Sequence, residues 1–95
     1  MIRSFADRQT EALFGGRLAS RLLADLQRAA QRKLRQLHNA SVLSDLMAPP
    51  GNRLEALRGN RRGQYSIRVN DQWRVCFVWH DGGAERVEIV DDHRG

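Results

Sequence analysis

Apolar residues recur at steps of three and four through the first half of the chain. Leu23, Leu26, Ala30, Leu34 and Leu37 fall on one stripe of a helix that runs from Leu18 to near Asn39, and Arg28, Arg32 and Arg35 point away from that stripe. Ahead of it, Ile2-Arg3-Ser4-Phe5 reads as a short opening strand. Asp7 is the natural N-cap of a brief helix that the breaker pair Gly15-Gly16 stops. After the long helix, Ser41 caps one further turn through Val42, Leu43 and Leu46, and Pro49-Pro50-Gly51-Asn52 forces a loop.

The period then changes from 3.6 to two. Leu54 and Leu57 flank Glu55-Ala56 in a short extended segment, followed by the turn-like Gly59-Asn60-Arg61-Arg62-Gly63. Tyr65, Ile67 and Val69 alternate with polar residues, and Trp73, Val75, Phe77 and Trp79 resume the alternation after Asn70-Asp71-Gln72. Asp81-Gly82-Gly83 turns the chain once more, and Val87 and Ile89 continue the inward set. Helices followed by an antiparallel meander predict an α+β fold, with two N-terminal helices packed on one face of a small antiparallel sheet.

The alternation also predicts a register. Closing a three-residue loop between Val69 and Trp73 sets Val75 against Ile67 and Phe77 against Tyr65, which puts Arg68 opposite Arg74 on the other face. A second three-residue loop pairs Val87 with Phe77 and Ile89 with Val75, brings Val90 beside Arg74, and carries Asp91-Asp92-His93 to the same end of the sheet. Trp73, Trp79 and Tyr65 fall in the inward phase and are assigned to the core.

At 95 residues the chain has room for one domain, residues 1–95. The longest apolar run, Val75 to Trp79, is far short of the roughly 20 residues that span a bilayer, and the N-terminus lacks the design of a signal peptide. One cysteine, Cys76, excludes an internal disulfide and a cysteine-based zinc site. No histidine spacing suggests a metal ligand set, so the expectation is a cytoplasmic protein with no membrane partner, no cofactor and no metal.

Charge changes the picture. Sixteen basic against eleven acidic residues give a net charge of +5. Six basic residues against Asp25 lie between Arg17 and His38, and six arginines against Glu55 and Asp71 lie between Arg53 and Arg74, whereas five acids crowd the last fifteen positions. Two basic segments point to a polyanion or to an acidic protein partner, and charge alone does not separate these. The alternating face adds a chemical hint, because like charges paired across strands are destabilising. Either Arg68 and Arg74 hold an anion between them, for which a phosphodiester fits, or they splay apart to acidic neighbours. In the first case Arg58 can approach from the next strand, His93 can act as general acid or base, and Glu55 or Asp92 can be its partner. RNA would then be cut through its own 2′-hydroxyl, leaving a 2′,3′-cyclic phosphate.

The run from Pro50 to Phe77, with Gly59-x-x-x-Gly63-x-x-Ser66-Ile67-Arg68-x-Asn70-x-x-Trp73-Arg74, closely resembles HigB-type toxins of the RelE/ParE superfamily of type II toxin–antitoxin systems. The opening Ile-x-Ser-Phe, the Leu13-Phe14-x-Gly16 and the closing Val87-Glu88-Ile89-Val90-Asp91-x-His93 extend the likeness over nearly the whole chain. The resemblance implies a ribosome-dependent, metal-independent endoribonuclease that cuts translated mRNA. It also implies a HigA-like helix-turn-helix antitoxin, with which the toxin would bind its own operator DNA. Carried over by position, Arg74 stabilises the scissile phosphate, His93 is catalytic, Asp91 is the acidic residue before it, and Arg58 contacts RNA, with Arg61 and Arg62 beside it in the same basic turn. Asp92 stands where relatives usually have Tyr, and Glu55 where a characterised relative has His. The superfamily also holds gyrase-inhibiting ParE-like members without nuclease residues, and a catalytically weakened toxin kept as antitoxin partner and co-repressor is a further alternative.

Overall fold

A computed structural model of the chain describes residues 1–17 and 24–91. Helix α1 (Arg8–Phe14) starts where expected. Asp7 sits in extended backbone, and its carboxylate accepts from the Thr10 amide at 2.7 Å and the Thr10 hydroxyl at 3.1 Å. Gly16, at φ 85°, ends it in a conformation that suits glycine. Helix α2 (Ala24–Asn39) buries Leu26, Ala30, Leu34 and Leu37, the stripe read from the sequence. Positions 18–23, with which that helix was expected to begin, lie outside the described residues.

The turn after α2 differs from expectation. It is a 3-10 helix, Leu43–Met47, whose N-cap is Val42 and not Ser41. The Asp45 carboxylate reaches back and accepts from the backbone amides of Ser41 at 2.8 Å and Val42 at 3.2 Å. A charged acceptor at the third helical position thus satisfies the backbone donors at the start of the turn, the carboxylate half of a capping box.

Strands β1 (Glu55–Ala56), β2 (Tyr65–Arg68), β3 (Trp73–His80) and β4 (Gly83–Asp91) form one antiparallel sheet in the order β1-β2-β3-β4. The β2–β3 register is the expected one, with Tyr65 against Phe77, Ile67 against Val75 and Arg68 against Arg74. The Asn70 side-chain oxygen shapes the connecting loop by accepting from the amides of Gln72 and Trp73. At the next hairpin only the lower half follows the expectation, with Val75 opposite Ile89 and Arg74 opposite Val90. The loop has two residues, since His80 pairs with Gly83, and Asp81 and Gly82 both take positive φ, 48° and 74°. This left-handed pair matches the twist of the flanking strands. The register is recovered by a bulge that sets Phe77 against both Arg86 and Val87, with Arg86 at φ 54°. Val87 remains fully buried as a result, although its expected one-to-one pairing with Phe77 is replaced.

The opening segment is no strand of its own. Ile2 and Phe5 make single parallel bridges to Ala84 and Val87, so the N-terminus lies along the free edge of β4. The His38 imidazole accepts from the Ile2 amide at 3.1 Å and ties that segment to the end of α2. Both helices contribute to one core with the inner sheet face, in which Leu13, Leu34 and Leu37 pack with Ile67, Val75, Phe77 and Val87. Tyr65, Trp73 and Trp79 pack at the margin of this core, partly buried. The helices leave the other face of the sheet open.

One buried polar residue locks the loop that leads into β1. Asn52 has no exposed surface; its amide donates to Gln36 at 3.1 Å and to the Leu46 carbonyl at 3.2 Å, and its oxygen accepts from the Lys33 ammonium. Burial, with the charges of Arg32 and Arg68 added to it, holds the Lys33 pKa below the usual lysine value. Asn52→Ala leaves these partners without their bonds and should destabilise the protein by about 2 kcal/mol, read from a denaturant midpoint. A loss under about 0.5 kcal/mol would show that the network is dispensable.

Candidate active site

The open sheet face carries a cleft of about 570 Å³, walled by Glu55, Ala56, Leu57, Arg58, Arg61, Ser66, Arg74, Cys76 and Val90. Its floor is the outward set of β2 and β3, and its wall is β1 with the 3-10 turn Gly59–Arg61. Three guanidinium groups face one carboxylate along these walls.

Arg74 is the most enclosed of the three, with 12% of its side chain exposed. Its Nε donates to the Ser66 hydroxyl at 2.7 Å and its Nη2 to the Arg53 carbonyl at 2.8 Å. The Glu55 carboxylate lies 4.0 Å from Nη2. Arg53 takes the left-handed conformation, φ 45° and ψ 58°, at the end of the Pro50–Asn52 turn. Arg61 donates to Glu88 at 2.7 Å and to Gln64 at 3.1 Å, and the Glu88 bond raises its pKa further above the usual arginine value. Arg58 is exposed and its guanidinium has no hydrogen-bond or ion-pair partner among the described residues, so it is the wall cation most open to an incoming anion. Cys76 is buried in the cleft floor, as a small packing residue would be.

The structure thus brings together Glu55, Arg58, Arg61 and Arg74. It does not bring Arg68 with them. Arg68 and Arg74 pair across the strands as expected, but their guanidinium groups part, and Arg68 binds Asp71 on the loop instead of sharing an anion with Arg74. The like-charge pair is relieved by the second of the two routes open at the sequence level. Arg62 is exposed and stands off the cleft walls. Asp91 ends β4 opposite Trp73, where it accepts from the Gln72 amide group at 3.2 Å. Asp92 and His93 lie outside the described residues. Ser66, Glu88 and the Arg53 carbonyl were not singled out as partners of the site. The first two were visible in the alternation, because the same register sets Ser66 and Glu88 on either side of Cys76. No sequence signal marks a left-handed arginine.

Three guanidinium groups around an open hollow suit a phosphodiester, which accepts two charge-assisted bonds per arginine. Among the described residues no three His, Cys, Asp or Glu converge as metal ligands, and no helix is long and apolar enough to cross a membrane.

Comparison with known families decides what bears this cleft. A family model described as the RelE-like toxin of type II toxin-antitoxin system HigB matches residues 3–93. The chain belongs to the HigB toxin family. It is 44% identical over 95 residues to Toxin HigB-1 of Vibrio cholerae, with 99% of each chain covered. It is also 31% identical over 94 residues to a Proteus vulgaris protein named Endoribonuclease HigB, covering 98% of this chain and all of that one. An uncharacterised Haemophilus influenzae protein matches at 33% over 74 residues, covering 78% of this chain and 72% of that one. The two-helix, four-strand arrangement agrees with a RelE-like toxin, and the toxin of a type II system has an antitoxin as its partner.

Proposed function

We propose that this toxin is an endoribonuclease that cuts mRNA on the translating ribosome and that the cleft around Arg74 is where the phosphodiester is held. The observation that carries this reading is the enclosed, pre-oriented Arg74 facing a hollow with Arg58 and Glu55 on its walls. The endoribonuclease name of the Proteus vulgaris relative supports a nuclease over a gyrase inhibitor.

The chemistry follows from RNA itself. The 2′-hydroxyl loses its proton and its oxygen attacks the adjacent phosphorus, the bond to the 5′-oxygen breaks, and that oxygen gains a proton. A 2′,3′-cyclic phosphate and a free 5′-hydroxyl result. Arg74 and Arg58 offset the negative charge that builds on the nonbridging oxygens. His93 gives or takes one of the two protons, and Glu55 or Asp92 assists with the other. His93 is two residues beyond Asp91, a tether of at most about 7 Å, and Val90, just before Asp91, lines the cleft. No step in this scheme calls for a metal ion. Arg61, Arg62 and Asp91 would contact or orient flanking RNA, and Arg68 would add to the field that draws it in.

On this reading the antitoxin is a HigA-like helix-turn-helix protein, the complex binds its own operator DNA, and the toxin works in the cytoplasm. Asp92 in place of the family's usual tyrosine favours one second reading, a toxin of lowered activity retained mainly as antitoxin partner and co-repressor. Induced expression without antitoxin tests both. Growth arrest with new mRNA 5′ ends inside translated codons, and with DNA supercoiling unaffected, is the expected result. Healthy growth with intact mRNA would support the weakened toxin, and lost supercoiling with intact mRNA would overturn the nuclease.

A further inference from the structure

We infer that Ser66 is the positioning residue of the site, a buried hydroxyl that sets the guanidinium of Arg74 so that its remaining nitrogen, Nη1, faces the scissile phosphate. The inference rests on the reading of Arg74 as the phosphate-binding group. Ser66 stands on the open face of the sheet, where polar side chains ordinarily meet water, yet it has no exposed surface. A hydroxyl removed from water must be hydrogen-bonded or it destabilises the fold, and the Ser66 hydroxyl oxygen accepts from Arg74 Nε at 2.7 Å.

The second acceptor fixes the plane. Arg74 Nη2 donates to the Arg53 carbonyl at 2.8 Å, and a longer contact of 3.5 Å runs from Nη2 to the Ser66 carbonyl. Ser66 and Arg53 together thus hold Nε and Nη2, two of the three guanidinium nitrogens. Nη1, which has no hydrogen-bond partner among the described residues, keeps its N–H groups for a phosphate oxygen. The two acceptors are neutral, so they orient the cation without cancelling its charge. Glu55, at 4.0 Å, is too distant to do the same through a direct bond. An arginine held in this way needs no reorganisation as charge develops on the phosphorane, which is where pre-orientation affects the rate. Without the hydroxyl, Arg74 keeps its charge but loses the bond that fixes its rotation.

The test is a double-mutant cycle on RNA cleavage with programmed ribosomes, comparing Ser66→Ala, Arg74→Ala and the double variant. Ser66→Thr, which restores the hydroxyl, is the rescue. Ser66→Ala should lower kcat about tenfold with KM within about twofold, because misplacement affects the transition state more than binding. The double variant should cleave no more slowly than Arg74→Ala alone, and Ser66→Thr should recover most of the rate. A second readout does not depend on activity: the Nε–H resonance of Arg74 should be protected from solvent exchange in the parent and Ser66→Thr, and exposed in Ser66→Ala. Parental kcat in Ser66→Ala would overturn the positioning role. So would a Ser66→Ala loss of the same size with Arg74 present and in the Arg74→Ala background, or an unprotected Nε–H in the parent. Undiminished cleavage by Arg74→Ala would instead overturn the functional reading of the cleft, and this inference would fall with it.

Discussion

Arg74→Ala is expected to lower the rate of RNA cleavage by about 10²–10³-fold, equivalent to about 3–4 kcal/mol of transition-state stabilisation. The size follows from enclosure. With 12% of its side chain exposed and two neutral acceptors fixing it, Arg74 would, on the proposed reading, meet the phosphate in a partly dry setting where its charge is poorly screened. The fold should survive, because the partners it leaves behind border an open cleft that water can enter. Arg68→Ala makes the informative comparison. Arg68 pairs with Asp71 and stands off the cleft walls, so its loss should raise KM by reducing the attraction for RNA while leaving kcat within a few-fold. Cleavage by purified variants on programmed ribosomes, with circular dichroism as the control for folding, measures both. Equal kcat losses in the two variants would mean that both arginines grip the same phosphate after all.

His93→Ala is the second large effect, a fall of about 10²–10⁴-fold in cleavage and loss of growth arrest on induction. Cleavage moves one proton off a 2′-hydroxyl and another onto a 5′-oxygen, and an imidazole is the side chain whose ordinary pKa lies nearest neutrality. The cleft walls supply arginines, which do not release protons at this pH, and one carboxylate, Glu55. The proposed scheme calls for a further acid–base group, and His93 follows in the sequence the strand that brings Val90 to the cleft. Binding of the antitoxin to His93→Ala should be unchanged if the substitution affects chemistry alone, which co-purification checks. Full toxicity in this variant would move the acid–base role to Glu55 and Asp92.

Much of this architecture was legible from residue spacing. The helical stripe of α2 and the β2–β3 register depend on periodicity, and periodicity is a property of the sequence alone. Arg68 opposite Arg74 followed from counting across a loop of known length. The upper half of the β3–β4 hairpin was not legible in the same way. A two-residue loop with a bulge and a three-residue loop without one both place Ile89 opposite Val75, so the buried pattern does not choose between them. The choice is made by Asp81-Gly82, which accept the left-handed pair of a tight turn, and by Arg86, whose positive φ nothing in its chemistry announces.

The site was legible as a set of residues and less so as a geometry. Arg68 and Arg74 could be assigned to one face because strand alternation fixes faces, and Arg58 was expected to approach it from the neighbouring segment. Where a long side chain ends is a different matter. Arg68 and Arg74 begin as cross-strand neighbours and end far apart in role, one drawn to Asp71 and the other to Ser66 and Arg53. Several rotatable bonds lie between the backbone and each guanidinium, and local acceptors decide the outcome. The Arg53 carbonyl is the clearest case, since it contributes through a backbone conformation and not through its side chain.

The most direct measurement is a cryo-electron microscopy structure of the toxin on a ribosome whose mRNA carries a 2′-O-methyl group at the cleavage codon, so that attack is blocked. The scissile phosphate is expected in the cleft, about 3 Å from Nη1 of Arg74, with Arg58 beside it. A phosphate seated instead against Arg28, Arg32 and Arg35 on α2, with the cleft facing solvent, would contradict that placement and the role given to Arg74.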